Sequence, residues 1–495
     1  MERGRGTMRT TEFPDVLLLT VDTMRRDSMA PYGADLMPAA SGLLAEGVAF
    51  DRCVAPSPWT GASFGTMLSG LWPREHRCLA NSPRREEPPA RSSLRPDVRL
   101  LAEMLHDAGY FTVCGQGNTG YLGPGSGFTR GFDAYAVWVG DYYTEHKPGQ
   151  LEKHLMALRL AGPGVYLRYL LRRRLGPREL RLRSIMQTGE AVVQAATRLA
   201  RRAPDGQPLF VWVNFIDMHA PYGAPRRWMP PEESPGSVRP VHTRPWKYLD
   251  EPFGEADQAY VRRRYDNTAR YVNACIETLL ERLTALRRSR SLLTVFTSDH
   301  GEEFWDHGTD RADPLYYNRG NGHGHTLFND QVRVPLFLHW PGHVAEGRRA
   351  GNVASVADLT PTLIELLELD EDTSAMGGCS LAGAATGPEP PSEDGRVVFA
   401  DSLLYGAERQ AAVSSRHKLV VRPDTGETQL FAWATDDPGE KTDLAASPGH
   451  SEERGKLEAA LAEWNARLGG GQPAELSAEE DDEVLLGQLR ELGYL

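Results

Sequence analysis

Three aspartates, Asp22, Asp217 and Asp299, each close a short apolar, β-branched run of the kind that forms a buried strand. A single aspartate at a strand end is commonly a turn residue or a helix cap. Parallel strands, however, bring their carboxyl ends to the same edge of an α/β sheet, and ligands bind outside that edge. We therefore predict that the three acids converge on one site.

Asp22, Asp299 and the adjacent His300 offer two carboxylates and one imidazole, a set of ligands suited to a divalent cation. Oxygen donors with a single nitrogen favour Zn²⁺ or Mn²⁺, whereas Ca²⁺ and Mg²⁺ prefer oxygen alone. We predict one bound cation and leave its identity open among Ca²⁺, Mn²⁺, Mg²⁺ and Zn²⁺. A second cation, held with Asp217 and His323, is an alternative.

Thr60 is the predicted nucleophile. It follows Pro56 and Pro58 and precedes small, helix-compatible residues, so we expect it at the N-terminus of a helix. The free N–H groups and the dipole at such an end stabilise an alkoxide and bind a tetrahedral oxyanion. A threonine there is usually only an N-cap. A neighbouring cation favours the role of nucleophile over that of N-cap for Thr60, because it lowers the pKa of the hydroxyl group.

Histidines cluster late in the sequence. The chain has 14 of them, and His300, His307, His323 and His325 fall within 26 positions, interspersed with glycines. Glycine allows a close backbone approach, and imidazole nitrogens bind anions and transfer protons. His219 lies just beyond another predicted strand. We predict that these imidazoles face a bound anion.

The apolar runs alternate with helical patterns, which predicts an α/β fold with a large, mixed but mostly parallel sheet flanked by helices. The clearest strand runs are 16–22, 110–115, 209–217 and 292–299. The helical patterns are 38–47, 62–69, 98–108, 185–202, 256–284 and 357–368.

A second, smaller domain is predicted towards the C-terminus. Residues 370–395 are rich in Asp, Glu, Gly and Pro, as in an exposed linker. Four short apolar runs and an amphipathic helix at 452–468 follow, which indicates an α+β domain with an antiparallel sheet. We therefore divide the chain into a catalytic domain, 1–370, and a C-terminal domain, 371–495.

Two segments of the catalytic domain, about 141–184 and 223–255, are predicted inserts. The first contains the basic, Leu-rich run VYLRYLLRRRLGPRELRLR, and the second is rich in Pro, Arg and Trp. We interpret the basic run as a solvated helix face or a rim that attracts an anionic substrate. Contact with an anionic membrane surface is the alternative.

Composition excludes several classes of protein. With 40% apolar and 25% charged residues, the chain is typical of a folded, soluble protein. A net charge of −12 argues against nucleic acid as a partner. No apolar run is long enough to span a bilayer, and the N-terminus lacks the apolar core of a signal peptide. The five cysteines form no CxxC pair, so we expect reduced thiols and a cytoplasmic protein, with the oligomeric state left open.

Several blocks resemble the sulfatase family of the alkaline-phosphatase superfamily, in the order in which that family carries them. They are LTVDTMRRD (19–27), PSPWTGASFGTMLSGLWPREH (56–76), DMHAPY (217–222), SDHGEEFWDHG (298–308), HGHTLFNDQVRVPLFLHWPG (323–342), SVADLTPTLIELL (355–367), HKLV (417–420), DPGEKTDL (437–444) and LRELGYL (489–495). The resemblance implies a metal-dependent ester hydrolase. It also implies an α/β domain followed by a smaller domain built on a four-stranded antiparallel sheet.

The chain departs from this family at the nucleophile. The best-known sulfatases carry C-x-P-x-R or S-x-P-x-R, in which the Cys or Ser becomes formylglycine. The matching position here is Thr60, with Phe64 in place of the Arg, and Cys53 lies at the wrong spacing. Thr23 replaces a second aspartate, and His300 replaces an asparagine. These changes resemble branches of the superfamily that act on phosphate mono- or diesters through a threonine.

The resemblance implies a two-step mechanism. Thr60 Oγ, with the three ligands named above, holds the cation and attacks sulfur or phosphorus to form a covalent ester. His219 and His325 bind the nonbridging oxygens or protonate the leaving alcohol. Water then cleaves the Thr60 ester. The predicted substrate is an anionic ester, a small molecule or a glycan, with sulfate and phosphate both open.

Three other readings remain. A two-zinc phosphodiesterase would form a second metal site from Asp217, His219 and either His323 or His325. A transferase would move a phosphoalcohol head group onto a glycan or a lipid. A degenerate sulfatase fold would serve as a binding protein, a reading that the missing formylglycine motif invites.

Overall fold

The computed structural model describes ten stretches of the chain. They are residues 13–80, 93–118, 121–138, 141–143, 189–220, 222–228, 254–287, 290–308, 320–387 and 395–469. Most of both predicted inserts, including the basic run, lies outside these stretches, as does the terminal block 489–495. No helix within the described stretches is both long and apolar enough to cross a membrane.

The largest element is a sheet of nine described strands, mixed but mostly parallel. Its strands are β1 (Asp15–Val21), β2 (Val48–Val54), β3 (Phe111–Gln116), β4 (Ala134–Trp138), β5 (Asp141–Tyr143), β6 (Leu209–Phe215), β7 (Leu292–Thr297), β10 (Leu336–His339) and β11 (Arg348–Ser355). The short strands β8 (Glu303–Phe304) and β9 (Asn321–Gly322) pair with each other in a separate sheet. They lie in the order β11-β2-β10-β7-β1-β6-β3-β4-β5. Only β10, between β2 and β7, and β5, beside β4, run antiparallel to their described neighbours. The predicted fold class is confirmed, although the sequence did not single out β2, β4, β5, β10 or β11.

Helices cover the sheet and continue into the second domain. They are α1 (Pro38–Glu46), α2 (Thr60–Ser69), α3 (Pro73–His76), α4 (Leu101–Asp107), α5 (Gly189–Ala200), α6 (Glu255–Leu286), α7 (Asn329–Val332), α8 (Leu359–Leu366), α9 (Ala382–Thr386) and α10 (Ser451–Leu468). Each helical pattern read from the sequence corresponds to one of them.

The central strand β1 shows why the sheet is buried on both faces. All seven of its residues are buried. Val16 and Leu18 join one apolar cluster, whereas Leu17, Leu19 and Val21 join a second. Since successive side chains of a strand point to opposite faces, a continuous apolar run supplies both cores at once.

The C-terminal region forms a four-stranded antiparallel sheet. Its strands, in the order in which they pair, are β12 (Val398–Ala400), β13 (Gln410–Val413), β14 (Lys418–Val421) and β15 (Thr428–Phe431). Helix α10 packs on this sheet through Leu457, Leu461 and Trp464, and the Trp464 ring stacks on Phe399 at 4.7 Å. The division of the chain near residue 370 stays a prediction.

A buried ion pair links β14 to the catalytic domain. Lys418 Nζ lies 2.5 Å from Glu440 Oε1, and neither side chain is exposed. The ammonium group also donates to the Leu327 carbonyl and to Asn329 Oδ1, at 2.8 and 3.0 Å. Glu440 Oε2 accepts from the backbone N–H of Asn329. Each charged group of the pair therefore has partners, but burial still lowers the pKa of Lys418 and raises the pKa of Glu440, so these partners offset only part of the cost of burial.

We expect Lys418→Met to lower the free energy of unfolding by about 3–5 kcal/mol, because it leaves the Glu440 charge buried without a counter-charge. Chemical denaturation followed by far-UV circular dichroism measures this loss. The double variant Lys418→Met/Glu440→Gln should recover most of it. Lys456→Met, which removes an exposed ion pair with Glu452, is the matched control and should leave stability unchanged. A double variant no more stable than the single one would contradict the prediction.

Candidate active site

The site lies at the carboxyl ends of the adjacent parallel strands β1 and β7. Asp22 directly follows β1, and Asp299 lies two residues beyond β7. Thr23, with a φ of 58°, turns the chain so that its N–H donates to Asp299 Oδ1 at 3.2 Å. The N–H of His300 donates to the same oxygen at 3.0 Å. Two backbone donors therefore hold one oxygen of Asp299 and orient the other.

Asp22 is held in the same way by an asparagine. Asn118 Nδ2 donates to Asp22 Oδ2 at 3.0 Å, and both side chains are buried. The remaining oxygens, Asp22 Oδ1 and Asp299 Oδ2, have no hydrogen-bond partner in the part of the chain that the structure describes. A buried carboxylate oxygen without a partner is costly, and a bound cation would satisfy both.

His300 completes a set of three ligands. Its Nε2 lies 3.3 Å from Asp299 Oδ2 and 3.9 Å from Asp22 Oδ1, and ligand atoms of all three residues lie within 4.8 Å of one another. Since His300 Nδ1 donates to the Gly301 carbonyl at 2.9 Å, Nε2 presents its lone pair to the acids. The donor set fits a divalent cation that accepts oxygen and nitrogen.

Burial perturbs all three groups. Burial and, to a smaller extent, the Asp299 charge raise the pKa of Asp22 to about 7. Burial likewise raises the pKa of Asp299 to about 7. It lowers the pKa of His300 and so favours the neutral, ligating imidazole. Two carboxyl groups at such close range retain their charges only if a cation compensates them.

Thr60 is the first residue of α2 and is almost fully buried. Its Oγ1 lies 3.4 Å from His300 Nε2, and its hydroxyl contacts Asp299. Ser63, one turn later, donates to the Asp299 carbonyl at 2.6 Å and so joins the helix to the metal-ligand loop. The N-terminus of α2 therefore points its N–H groups and its dipole at the three ligands.

Two further histidines lie beside His300. The ring centroids of His300 and His323 are 4.5 Å apart, and those of His323 and His219 are 4.9 Å apart. His219 Nδ1 donates to the Ala220 carbonyl at 2.8 Å. The structure thus brings together six of the nine residues that the sequence singled out: Asp22, Thr60, His219, Asp299, His300 and His323. His307 lies elsewhere, where its ring stacks on Phe328.

Asp217 lies apart from this group, so the predicted convergence of three acids is wrong for this residue. Its Oδ1 accepts from the N–H of Gly189, the first residue of α5, at 3.0 Å. Its charge acts on Tyr271 and Cys275 of α6. Among the described residues, no second set of three metal ligands forms with Asp217. The aspartate caps a helix, as a strand-end aspartate commonly does.

His325 is also placed differently from the prediction. Its Nε2 pairs with Glu303 Oε2 at 2.9 Å, and its Nδ1 contacts the His323 carbonyl at 3.1 Å. Both ring nitrogens are thus committed to protein acceptors, and the side chain is 2% exposed. The predicted role of His325 at the substrate does not fit these contacts, whereas His323 is well placed for it.

Sequence reasoning missed Asn118, Glu302 and Glu303. Asn118 follows β3, which ends at the same edge of the sheet, so its position beyond a strand was the available signal. Glu302 and Glu303 follow Asp299 and His300 with only Gly301 between them, and each pairs with one histidine of the 320–325 loop.

Comparison with known proteins agrees with this geometry. The family model described as Sulfatase matches residues 14–369. The chain belongs to the sulfatase family. It is 24% identical over 434 residues to the human N-acetylgalactosamine-6-sulfatase (Homo sapiens), an alignment that covers 84% of this chain and 73% of that protein. The corresponding alignment with the dog enzyme (Canis lupus familiaris) covers 64% of that protein.

Solved structures share the fold. A phosphonate monoester hydrolase from Silicibacter pomeroyi superposes with a TM-score of 0.66 at 18% identity, over 94% of this chain and 100% of that one. A structure in complex with its substrate D-glucosamine-2-N,6-O-disulfate superposes with a TM-score of 0.66 at 14% identity, over 92% and 98%. The chain is therefore a sulfatase-family ester hydrolase, and members of this family generally depend on a metal ion.

We expect Asn118→Ala to weaken binding of Mn²⁺ or Zn²⁺ by about 10- to 100-fold, because Asp22 loses the donor that orients it. Isothermal titration calorimetry of chelator-treated protein measures the change. Asn273→Ala removes another buried asparagine, which holds the backbone of α1, and should leave metal affinity unaltered. Equal affinities for Asn118→Ala and wild type would show that Asn118 does not support the metal site.

Proposed function

We propose that this protein hydrolyses an anionic sulfate or phosphate ester through a covalent intermediate on Thr60, with a divalent cation held by Asp22, Asp299 and His300. The observation that carries the proposal is the position of the Thr60 hydroxyl at a helix N-terminus, 3.4 Å from His300 Nε2 and in contact with Asp299.

A bound divalent cation would lower the pKa of a coordinated hydroxyl and offset the charge of the ester oxygens. Thr60 Oγ attacks the sulfur or phosphorus as the alkoxide, and the bond to the leaving alcohol oxygen breaks. The N–H groups at the start of α2 stabilise the charge that develops on the nonbridging oxygens. His219 and His323 contact the ester oxygens and the leaving group. Water then attacks the Thr60 ester, releases sulfate or phosphate and restores the hydroxyl.

The acid released by the reaction is the open part of the proposal. Family membership favours a sulfate ester. Thr60 favours a phosphate-type ester, because threonine cannot supply the aldehyde hydrate on which formylglycine sulfatases rely. Fold neighbours of both kinds are known, and one binds a sulfated glucosamine. We therefore propose that the substrate is a small-molecule or glycan ester, and the assays described below determine whether it is a sulfate or a phosphate ester.

We expect Thr60→Ala to lower kcat by at least about 10³-fold, as removal of a nucleophile does in other covalent hydrolases. Thr60→Ser should retain activity, and its peptide should carry the sulfo or phospho group when turnover is quenched in acid and analysed by mass spectrometry. Thr66→Ala, which alters the same helix at a hydroxyl bonded to His76, should stay within a few-fold of wild type. Full activity of Thr60→Ala would refute the covalent mechanism.

One set of assays tests both the dependence on a metal ion and whether the substrate is a sulfate or a phosphate ester. Chelator-treated protein should be inactive and should recover on addition of Mn²⁺ or Zn²⁺. Recovered protein is then assayed in parallel with 4-nitrophenyl sulfate, 4-nitrophenyl phosphate and bis(4-nitrophenyl) phosphate. The substrate with the highest kcat/KM identifies the acid. A chelated protein with undiminished activity would contradict the role proposed for the three ligands, and a chain that binds no metal would favour a binding protein.

A further inference from the structure

A chain of three buried side chains lies behind the histidines of the site. Tyr222 Oη donates to Glu302 Oε1 at 2.5 Å, and His323 Nδ1 donates to Glu302 Oε2 at 2.6 Å. Glu302 is fully buried, Tyr222 is 2% exposed and His323 is 8% exposed. Both oxygens of the glutamate are therefore occupied, each by a short hydrogen bond.

The glutamate fixes which nitrogen of His323 faces the site. With Nδ1–H committed to a carboxylate, the nitrogen that remains is Nε2, which makes no hydrogen bond among the described residues. The His323 ring also packs against the His300 ring, next to the Thr60 hydroxyl. A carboxylate behind an imidazole holds its tautomer and its orientation and stabilises the imidazolium form, as in hydrolases with a Ser-His-Asp triad.

The second glutamate of the pair serves a different purpose. Glu303 binds His325 through Nε2, and the other nitrogen of that ring contacts the His323 carbonyl. That arrangement fixes the loop but leaves neither nitrogen of His325 directed to a substrate. Glu302 thus binds the histidine that can exchange a proton, His323, whereas Glu303 binds the histidine that fixes the backbone of the loop, His325.

Tyr222 is rigidly placed for this contact. Its ring packs edge-on against Tyr265 and tilted against Phe304, each with centroids 5.6 Å apart. Its backbone N–H donates to the His219 carbonyl at 3.0 Å, and its φ of 51° directs the side chain back across that turn. The turn that supplies His219 to the site therefore also supplies the hydroxyl that holds Glu302.

We propose that Glu302, held by Tyr222, is a positioning residue that makes His323 the proton carrier of the reaction. The assignment rests on the covalent mechanism proposed above. In the first step Nε2 of the neutral His323 ring takes the proton of the Thr60 hydroxyl and gives it to the leaving oxygen while the S–O or P–O bond breaks and the electron pair stays on that oxygen. In the second step Nε2 takes a proton from the water that attacks the Thr60 ester and returns it to the Thr60 oxygen, which departs with the bond electrons.

The test is the dependence of kcat/KM on the leaving group, measured with 4-nitrophenyl, phenyl and methyl esters of whichever acid the protein accepts. A poor leaving group needs a proton and a good one does not. We therefore expect Glu302→Gln to lower kcat/KM for the methyl ester by about 10²- to 10⁴-fold and for the 4-nitrophenyl ester by less than about tenfold. Tyr222→Phe should also lower kcat/KM more for the methyl ester than for the 4-nitrophenyl ester, but by a smaller factor.

Glu303→Gln is the matched control, since it alters the neighbouring glutamate and its histidine but should leave the leaving-group dependence as in wild type. Metal content by elemental analysis and the near-UV circular dichroism spectrum establish that each variant is folded. If Glu302→Gln slows all three esters by one common factor, or if Glu303→Gln produces the same steepening, the proposal is wrong. Thr60→Ala reports on the covalent mechanism independently, so the failure of one proposal is distinguishable from the failure of the other.

Discussion

The site depends on two carboxyl groups, Asp22 and Asp299, that the sheet forces to face each other out of contact with water. Removing an anion from water is costly, and a second anion nearby adds repulsion, which is why burial raises both pKa values to about 7. Among the described residues, hydrogen bonds hold one oxygen of each group: Asn118 donates to Asp22, and two backbone N–H groups donate to Asp299. The other two oxygens lie beside His300, where a divalent cation would compensate both charges.

The distance between the two acids is set by backbone pairing. Strands β1 and β7 are hydrogen-bonded neighbours, and Ser298 Oγ ties their ends together by donating to the Val21 carbonyl at 2.7 Å while accepting from the Met24 N–H at 3.1 Å. The strained turn at Thr23 is held from outside by Tyr265, whose hydroxyl bonds to the Thr23 carbonyl and the Arg25 N–H. Such a strained backbone conformation persists because contacts with the surrounding residues hold it in place. The ligands are thus preorganised by the sheet.

The sequence predicted the sheet, the helices and six site residues, because periodicity and strand ends can be read locally. The prediction failed for Asp217. The position of a strand end gives the edge of the sheet, but it does not give the direction of a side chain two residues past β6. Here that side chain accepts a hydrogen bond at the N-terminus of α5. Sequence reasoning assigned His325 the role at the substrate and left His323 to an alternative second site, because both follow a glycine and the local sequence does not distinguish them. What separates them is the backbone between them, where Gly324 has a φ of 87°. Partners distant in sequence, such as Asn118 for Asp22, leave no pattern to read.

The C-terminal region contacts the two loops that carry the proposed nucleophile, Thr60, and the proposed proton carrier, His323. The Ser402 carbonyl accepts from Ser57 Oγ at 2.9 Å and from Trp59 Nε1 at 2.8 Å, directly before Thr60. The Gly324 carbonyl accepts from the N–H groups of Leu404 and Tyr405. A β-carbon at Gly324 would lie 3.0 Å from Leu404 Cβ, so this approach depends on glycine at the residue that follows His323. Because one short loop, 402–405, contacts both segments, the geometry between Thr60 and His323 depends on the C-terminal region as well as on the large sheet.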